Sequence, residues 1–266
     1  MNKRIRIILT VILSALLLLS IVMTVRHQIF NHSSDLSNRR AAELAREAEP
    51  AAPRASAQIE APVQWQPFRP DDDPYLAQLE KMDLAVLREV NPEVLGWISI
   101  PGTGIDYPLL QTEDNSHYLK YSWDGERNDF GAIFLDCTLP ANLSAFHSII
   151  YGHNMGRDKM FGPLREYADE DFFHEHPYVY ILSDAGAYRY EIYSSYQTRV
   201  DTISYGIRFP TEAGMEKFIS YSCEQSQFDS GIEPEITDRI LSLSTCSGDL
   251  YDERWIVHAR LPMLQK

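Results

Sequence analysis

Three residues have types and positions that could do chemistry: Cys246, Arg254 and His153. Positions 241–246 read Leu-Ser-Leu-Ser-Thr-Cys. Strand side chains alternate, so Leu241, Leu243 and Thr245 share one face and Ser242, Ser244 and Cys246 the other. A cysteine that only filled a core would belong with the leucines. Cys246 instead ends the strand on the serine face, where a thiol is accessible. Positions 254–261 read as a second strand, with Trp255, Val257, Ala259 and Leu261 on its apolar face and Arg254 opening it on the opposite one. If the two strands pair, a thiol and a guanidinium meet at one end of a sheet. An accessible thiol beside a fixed positive charge is how a protein makes a thiolate nucleophile and neutralises an oxyanion. His153 follows a strand at Gly152, which allows a sharp exit. Together the three would serve acyl transfer: the thiolate attacks a carbonyl, the guanidinium stabilises the oxyanion, and the imidazolium protonates the leaving amine. Taken singly, each has a plainer reading as a small buried cysteine, a surface arginine or an ordinary surface histidine. An Asp or Asn orienting His153 would give a papain-like arrangement. Asn154 adjoins it, but neighbours along a strand point apart.

The elements that must position these residues are mostly short strands. Strand patterns cover 95–100, 105–111, 131–135 and 146–151, with a turn at Pro101-Gly102-Thr103-Gly104 between the first two. Positions 178–182 and 187–198 form a hairpin around Asp184-Ala185-Gly186. Short helices are expected at 160–167 and 170–174, a loop over 200–209, and a helix over 211–223 with Thr211 as N-cap. Helical spacing over 75–90 gives a lead-in that ends at Asn91-Pro92. Many short strands, few helices and no βαβ rhythm point to a mostly β chain folded as a closed antiparallel or mixed barrel.

The 266 residues carry a formal net charge of −14 and no basic stripe, which argues against nucleic acid as a partner. Hydrophobic residues make up 44%, enough for a sizeable core, and three cysteines are too few for a disulfide framework. Lys3, Arg4 and Arg6 precede an uncharged apolar run over 7–25 that Arg26 closes. At ~1.5 Å per residue such a run spans a ~30 Å hydrocarbon core. The competing reading is a cleaved signal peptide, but the run exceeds a usual h-region of roughly 7–15 residues and no small-x-small site follows directly. The expectation is a single-pass anchor in the cytoplasmic membrane with the N-terminus inside and the rest extracellular. The division is then a basic cytoplasmic tip at 1–6, the anchor at 7–25, an extracellular proline-interrupted spacer at 26–74, and the catalytic domain at 75–266. Asp73-Pro74 suits a helix start, which is the plainer reading of the run Asp71-Asp72-Asp73 than a metal site.

Tyr151-Gly152-His153-Asn154-Met155, Leu243-Ser244-Thr245-Cys246 and the downstream Arg254 resemble the signature of sortases, the membrane-anchored cysteine transpeptidases of Gram-positive bacteria. The resemblance covers roughly 75–261. The lead-in helices, the Gly96-to-Thr103 stretch, Asn115-Ser116-His117-Tyr118-Leu119, Gly131-to-Asp136 and the helix before the cysteine strand are similar to class B. It implies a closed sortase-type barrel of about eight strands, with Cys246 as nucleophile, His153 as general acid and then base, and Arg254 holding substrate and oxyanion. It also implies a substrate groove lined by Asn115, Leu119, Ser244 and Thr245, and by Tyr205 and Ile207 as a Tyr-Ile pair that Gly206 interrupts. The implied reaction cleaves an NPxTN-like or PxTG-like sorting signal of a secreted protein after Thr and passes the acyl group to a peptidoglycan amine. A pilin-polymerising enzyme of the same fold and a non-catalytic peptide-binding barrel stand as alternatives. No cofactor and no metal is implied.

Other clusters read as structural. Cys137 and Cys223 either pair or serve as small core residues. His174 and His176 at i, i+2 in a helical context point apart, which suits a surface turn better than a metal site. Asp249, Asp252 and Glu253 either tune Arg254 or form a solvated loop.

Overall fold

The structure, a computed structural model, describes residues 3–47, 65–70, 72–156, 158–246 and 253–265. Its elements are α1 (Lys3–Glu47), β1 (Trp65–Pro67), α2 (Pro74–Leu79), α3 (Ala85–Val90), β2 (Val94–Ile100), β3 (Ile105–Leu110), β4 (Ile133–Leu135) and β5 (His147–Tyr151). There follow α4 (Glu170–Glu175), β6 (Tyr178–Ser183), β7 (Gly186–Arg199), α5 (Glu212–Gln225), β8 (Arg239–Cys246), β9 (Glu253–Leu261) and β10 (Met263–Gln265). Short 3-10 turns lie at His117–Leu119, Gly162–Ala168 and Ile203–Tyr205.

Eight strands close a barrel in the order β2-β3-β4-β5-β8-β9-β7-β6. Two neighbouring pairs, β3 with β4 and β5 with β8, are parallel, and the others are antiparallel. The barrel is therefore mixed, as the scatter of short strands suggests. Side chains alternate between an inner cluster and outer ones. Ile98, Leu109, Ile133, Ile181, Leu241 and Val257 belong to the inner cluster. Their strand neighbours Trp97, Leu110, Phe134 and Leu182 pack outward under α2 and α3. On the other flank Ile240 and Tyr193 pack with Phe218 of α5. Covers on both flanks explain why most strands read as continuous apolar runs.

The helix starts follow local capping chemistry. Asp73 accepts from the backbone N–H groups of Tyr75 and Leu76, with Pro74 at the first turn. The same carboxylate takes a hydrogen bond from the Tyr180 hydroxyl at 3.0 Å and pairs with Arg189, so it is a buried link rather than a solvated start. Thr211 caps α5 by accepting from the N–H of Gly214.

The N-terminal expectation needs correction. Among the described residues no helix is long and apolar enough to cross a membrane, which overturns the single-pass anchor at 7–25 and the placement built on it. Past Arg26 α1 continues to Glu47 and docks on the catalytic unit. Ala41 and Ala45, one turn apart, are fully buried. Lys159 pairs with Asp35 at 2.8 Å and Arg46 with Asp106 at 2.6 Å.

Two histidines sit in the outer layer beneath α5. His147 and His258 are at most 1% exposed. Desolvation pushes His147 from 6.5 down to about 4 and His258 well below its usual range. Folding therefore disfavours the charged rings. Their contribution is complete above pH ~6.5, where the unfolded chain is also neutral, and is lost as pH falls toward the folded value. For His147 alone the loss is on the order of 3 kcal/mol between pH 7 and 4. Urea unfolding at pH 7 and pH 5 should show the wild type losing more stability than His147→Leu over that interval; equal losses would refute the assignment.

Candidate functional site

The site is built by the register of β8 against its two neighbours. On one side β9 runs antiparallel, and the Cα partner of Cys246 is Arg254. On the other side β5 runs parallel with Tyr151 opposite Ser244, and Gly152 N–H donates to the Ser244 carbonyl at 3.2 Å. His153 lies two residues past Tyr151, as Cys246 lies two residues past Ser244. The backbone thus brings Cys246, His153 and Arg254 to one end of three adjacent strands. The Cys246 side chain and loop 247–252, with Asp249 and Asp252, lie outside the described residues. The glycine at 152 is needed for room: a Cβ there would come within 2.4 Å of Ile133 Cδ1 and 2.8 Å of the Phe161 ring.

His153 is half-buried, and its Nε2 lies 2.9 Å from the Leu119 carbonyl. A carbonyl only accepts, so the neutral ring carries hydrogen on Nε2 and presents its lone pair at Nδ1. The group that orients this histidine is a main-chain carbonyl, while its neighbour Asn154 pairs through its backbone with Met160. Gly131 makes the approach possible. It has φ +62°, and a Cβ there would stand 2.1 Å from the Tyr118 carbonyl oxygen and 3.2 Å from His153 Cδ2. Arg254 is half-buried and donates from Nη1 to the Glu253 carbonyl at 2.8 Å.

The remaining groove candidates divide into two groups. Asn115 donates to the Asp136 carboxylate at 2.9 Å and accepts from the Cys137 N–H at 2.8 Å, which holds its side chain beside β4. The same carboxylate accepts from the Tyr151 hydroxyl at 3.1 Å and from Thr138. Burial and Asp136 together push the Tyr151 hydroxyl up. Leu119 is exposed next to His153's acceptor. Tyr205 places its hydroxyl 2.7 Å from Ser244 Oγ. Asn115, Leu119, Ser244 and Tyr205 thus border the strand end that carries His153 and Cys246. Thr245 and Ile207 do not join them. Thr245 is 2% exposed on the leucine face, with its hydroxyl buried and without a hydrogen-bond partner, and Ile207 packs on the inner cluster. The serine face of β8 is not open along its length either: Ser242 and Ser244 are buried under α5 and the Ile203–Tyr205 turn.

Asp136 and Tyr151 are the site residues that residue spacing alone did not single out. Their signal was an ionisable residue and a phenol at the ends of two apolar strands. Cys137 and Cys223 are both free, half-buried and exposed respectively, so neither forms the expected pair nor fills the core, and desolvation with nearby carboxylates pushes both thiols up. His176 closes α4 and sits 2.9 Å through Nδ1 from the Pro101 carbonyl.

Comparison with known proteins agrees with this geometry. The sortase domain family model matches residues 98–262. The sortase B of Listeria monocytogenes is 34% identical over 181 residues, which is 67% of this chain and 74% of that protein. The X-ray structure of Clostridium perfringens sortase B superposes with a TM-score of 0.63 at 31% identity, covering 68% of this chain and 100% of that one. A Staphylococcus aureus sortase B–substrate complex superposes with a TM-score of 0.63 at 26% identity, covering 71% of this chain and 86% of that one. The chain belongs to the sortase family, in its class B, and is an enzyme of the cysteine transpeptidase type.

Proposed function

We propose that residues 75–266 cleave a secreted protein at an NPxTN-like or PxTG-like sorting signal after Thr and join the new carboxyl to a peptidoglycan amine. The observation that carries this reading is the register that sets Cys246 opposite Arg254, with His153 at the end of the next strand. The S. aureus sortase B–substrate complex, a similar structure that takes up a substrate, supports this reading.

The thiolate of Cys246 adds to the threonine carbonyl carbon, and the carbonyl electrons move to oxygen. Arg254 stabilises that oxyanion. Collapse breaks the C–N bond, and His153 in its charged form gives a proton to the leaving amine. The products are a thioester on Cys246 and the released C-terminal fragment. His153, now neutral, takes a proton from the acceptor ammonium or amine as its nitrogen attacks the thioester. A second collapse releases the amide and restores the thiolate. The Leu119 carbonyl keeps Nε2 protonated throughout, so Nδ1 is the nitrogen that exchanges protons. Asn115, Leu119 and Tyr205 line the acyl side, and the buried Ser244 and Thr245, with Ile207, support it from behind.

Two outcomes test the assignment. Cys246→Ala should lose cleavage of a quenched sorting peptide by ~10³-fold or more while keeping the wild-type unfolding profile; undiminished turnover would end the proposal. Arg254→Ala should lower kcat/KM by ~10²–10³-fold through loss of one oxyanion donor. If its loss falls on KM alone, Arg254 binds substrate without stabilising the oxyanion.

A further inference from the structure

Behind the serine face of β8 runs a chain of buried polar groups that the reaction above does not use. Ser242 Oγ lies 2.6 Å from His147 Nε2 and 2.6 Å from His258 Nδ1. His147 Nδ1 lies 2.6 Å from the Gly206 carbonyl. At the other end His258 Nε2 is 2.9 Å from the Tyr196 hydroxyl, which is 2.8 Å from Ser204 Oγ. None of these side chains is more than 3% exposed.

One terminus sets the direction of every bond. The Gly206 carbonyl can only accept, so His147 carries hydrogen on Nδ1. Burial keeps the ring neutral, which leaves a lone pair at Nε2 for the Ser242 hydroxyl to fill. The Ser242 oxygen then accepts from Nδ1–H of His258, whose Nε2 accepts from Tyr196. The tyrosine oxygen in turn accepts from Ser204. The chain runs one way, and both histidines are Nδ1–H tautomers.

Both ends fall on one short segment. Gly206 and Ser204 flank Tyr205 in and just after the Ile203–Tyr205 turn. Tyr205 reaches the next outward position of β8 and meets Ser244. Ser242 and Ser244 stand about 7 Å apart on the same face, so the turn is pinned to two successive outward positions of the cysteine strand.

We propose that His147, Ser242, His258 and Tyr196 are positioning residues that set the turn bearing Tyr205 against the Ser244–Cys246 end of β8, and so govern affinity for the sorting peptide rather than reactivity of the thiol. The proposal rests on the reading of Cys246 as nucleophile and of this turn as a groove wall. An apolar filling of equal volume would cover β8 as well, but a bond-by-bond chain with no alternative partners ties the turn to one position more tightly.

The test uses the full chain and a quenched sorting peptide. Ser242→Ala removes the middle of the chain and should raise KM about tenfold, with kcat and the rate of Cys246 alkylation by iodoacetamide within ~2-fold of wild type. His147→Leu should behave the same way, and His147→Asn, which keeps a donor near the Gly206 carbonyl, should recover most of the lost KM. Long-range ¹⁵N NMR of the unaltered protein should show His147 and His258 both protonated on Nδ1, a readout that needs no variant to fold. A wild-type KM in folded Ser242→Ala, a loss confined to kcat, or an Nε2–H tautomer at either ring would overturn the proposal. Absence of peptide cleavage by the unaltered protein would instead remove the reading of the site itself.

Discussion

β8 is held between a parallel neighbour and an antiparallel one, and its register against both is the constraint on which the site depends. Strand side chains repeat every two residues, so a slip of one position against β9 would move Cys246 to the leucine face and take Arg254 from its side. A slip against β5 would separate His153 from both. The register is over-determined. Leu241 and Leu243 belong inside with Val257 and Ala259, while Ser242 and Ser244 belong outside under α5 and the Ile203–Tyr205 turn. Either set alone would penalise a slip, and the two together penalise it from both faces of the sheet.

The proposed chemistry falls where regular pairing stops. His153 lies just beyond β5, Cys246 is the last residue of β8, and Arg254 is the second residue of β9. There the main chain supplies groups that a side chain would supply elsewhere. The Leu119 carbonyl orients the imidazole, and Gly131 and Gly152 exist to let the backbone and the Phe161 ring approach. Asp136 performs a similar task one strand away, where it gathers Asn115, Tyr151 and Thr138 around one buried carboxylate. On the proposed reading, such a frame holds the reacting groups before substrate arrives.

Much of this was legible in the residues. The β strands announced themselves as apolar runs bounded by Gly and Pro, and Thr211 and Asp73 marked helix starts by the chemistry of their side chains. The pairing of positions 246 and 254 followed from alternation within two short strands joined by one loop. Three things were not legible, each for a physical reason. The parallel contact of β5 with β8 joins segments some 90 residues apart, and no local pattern encodes such a register. An orienting carbonyl has no side-chain signature. His147 and His258 lie in strands that are otherwise apolar, and nothing local reveals that they share Ser242. The N-terminal run misled in the opposite direction. Its composition suggested a membrane anchor, whereas the structure offers no membrane-crossing helix among the described residues and packs the far end of α1 against the barrel through Ala41 and Ala45. Small residues one turn apart make a close-packing face that apolar content alone does not predict.

The central claim is that the thiol at the end of β8 carries the acyl group. Intact-mass spectrometry after mixing the full chain with a sorting-signal peptide, without acceptor amine and with an acid quench, reads this directly. The account predicts an added mass equal to the peptide's N-terminal fragment ending at Thr, less one water, and proteolytic mapping that places it on Cys246. Peptide cleavage with no such adduct, or an adduct on Cys137 or Cys223, would contradict it.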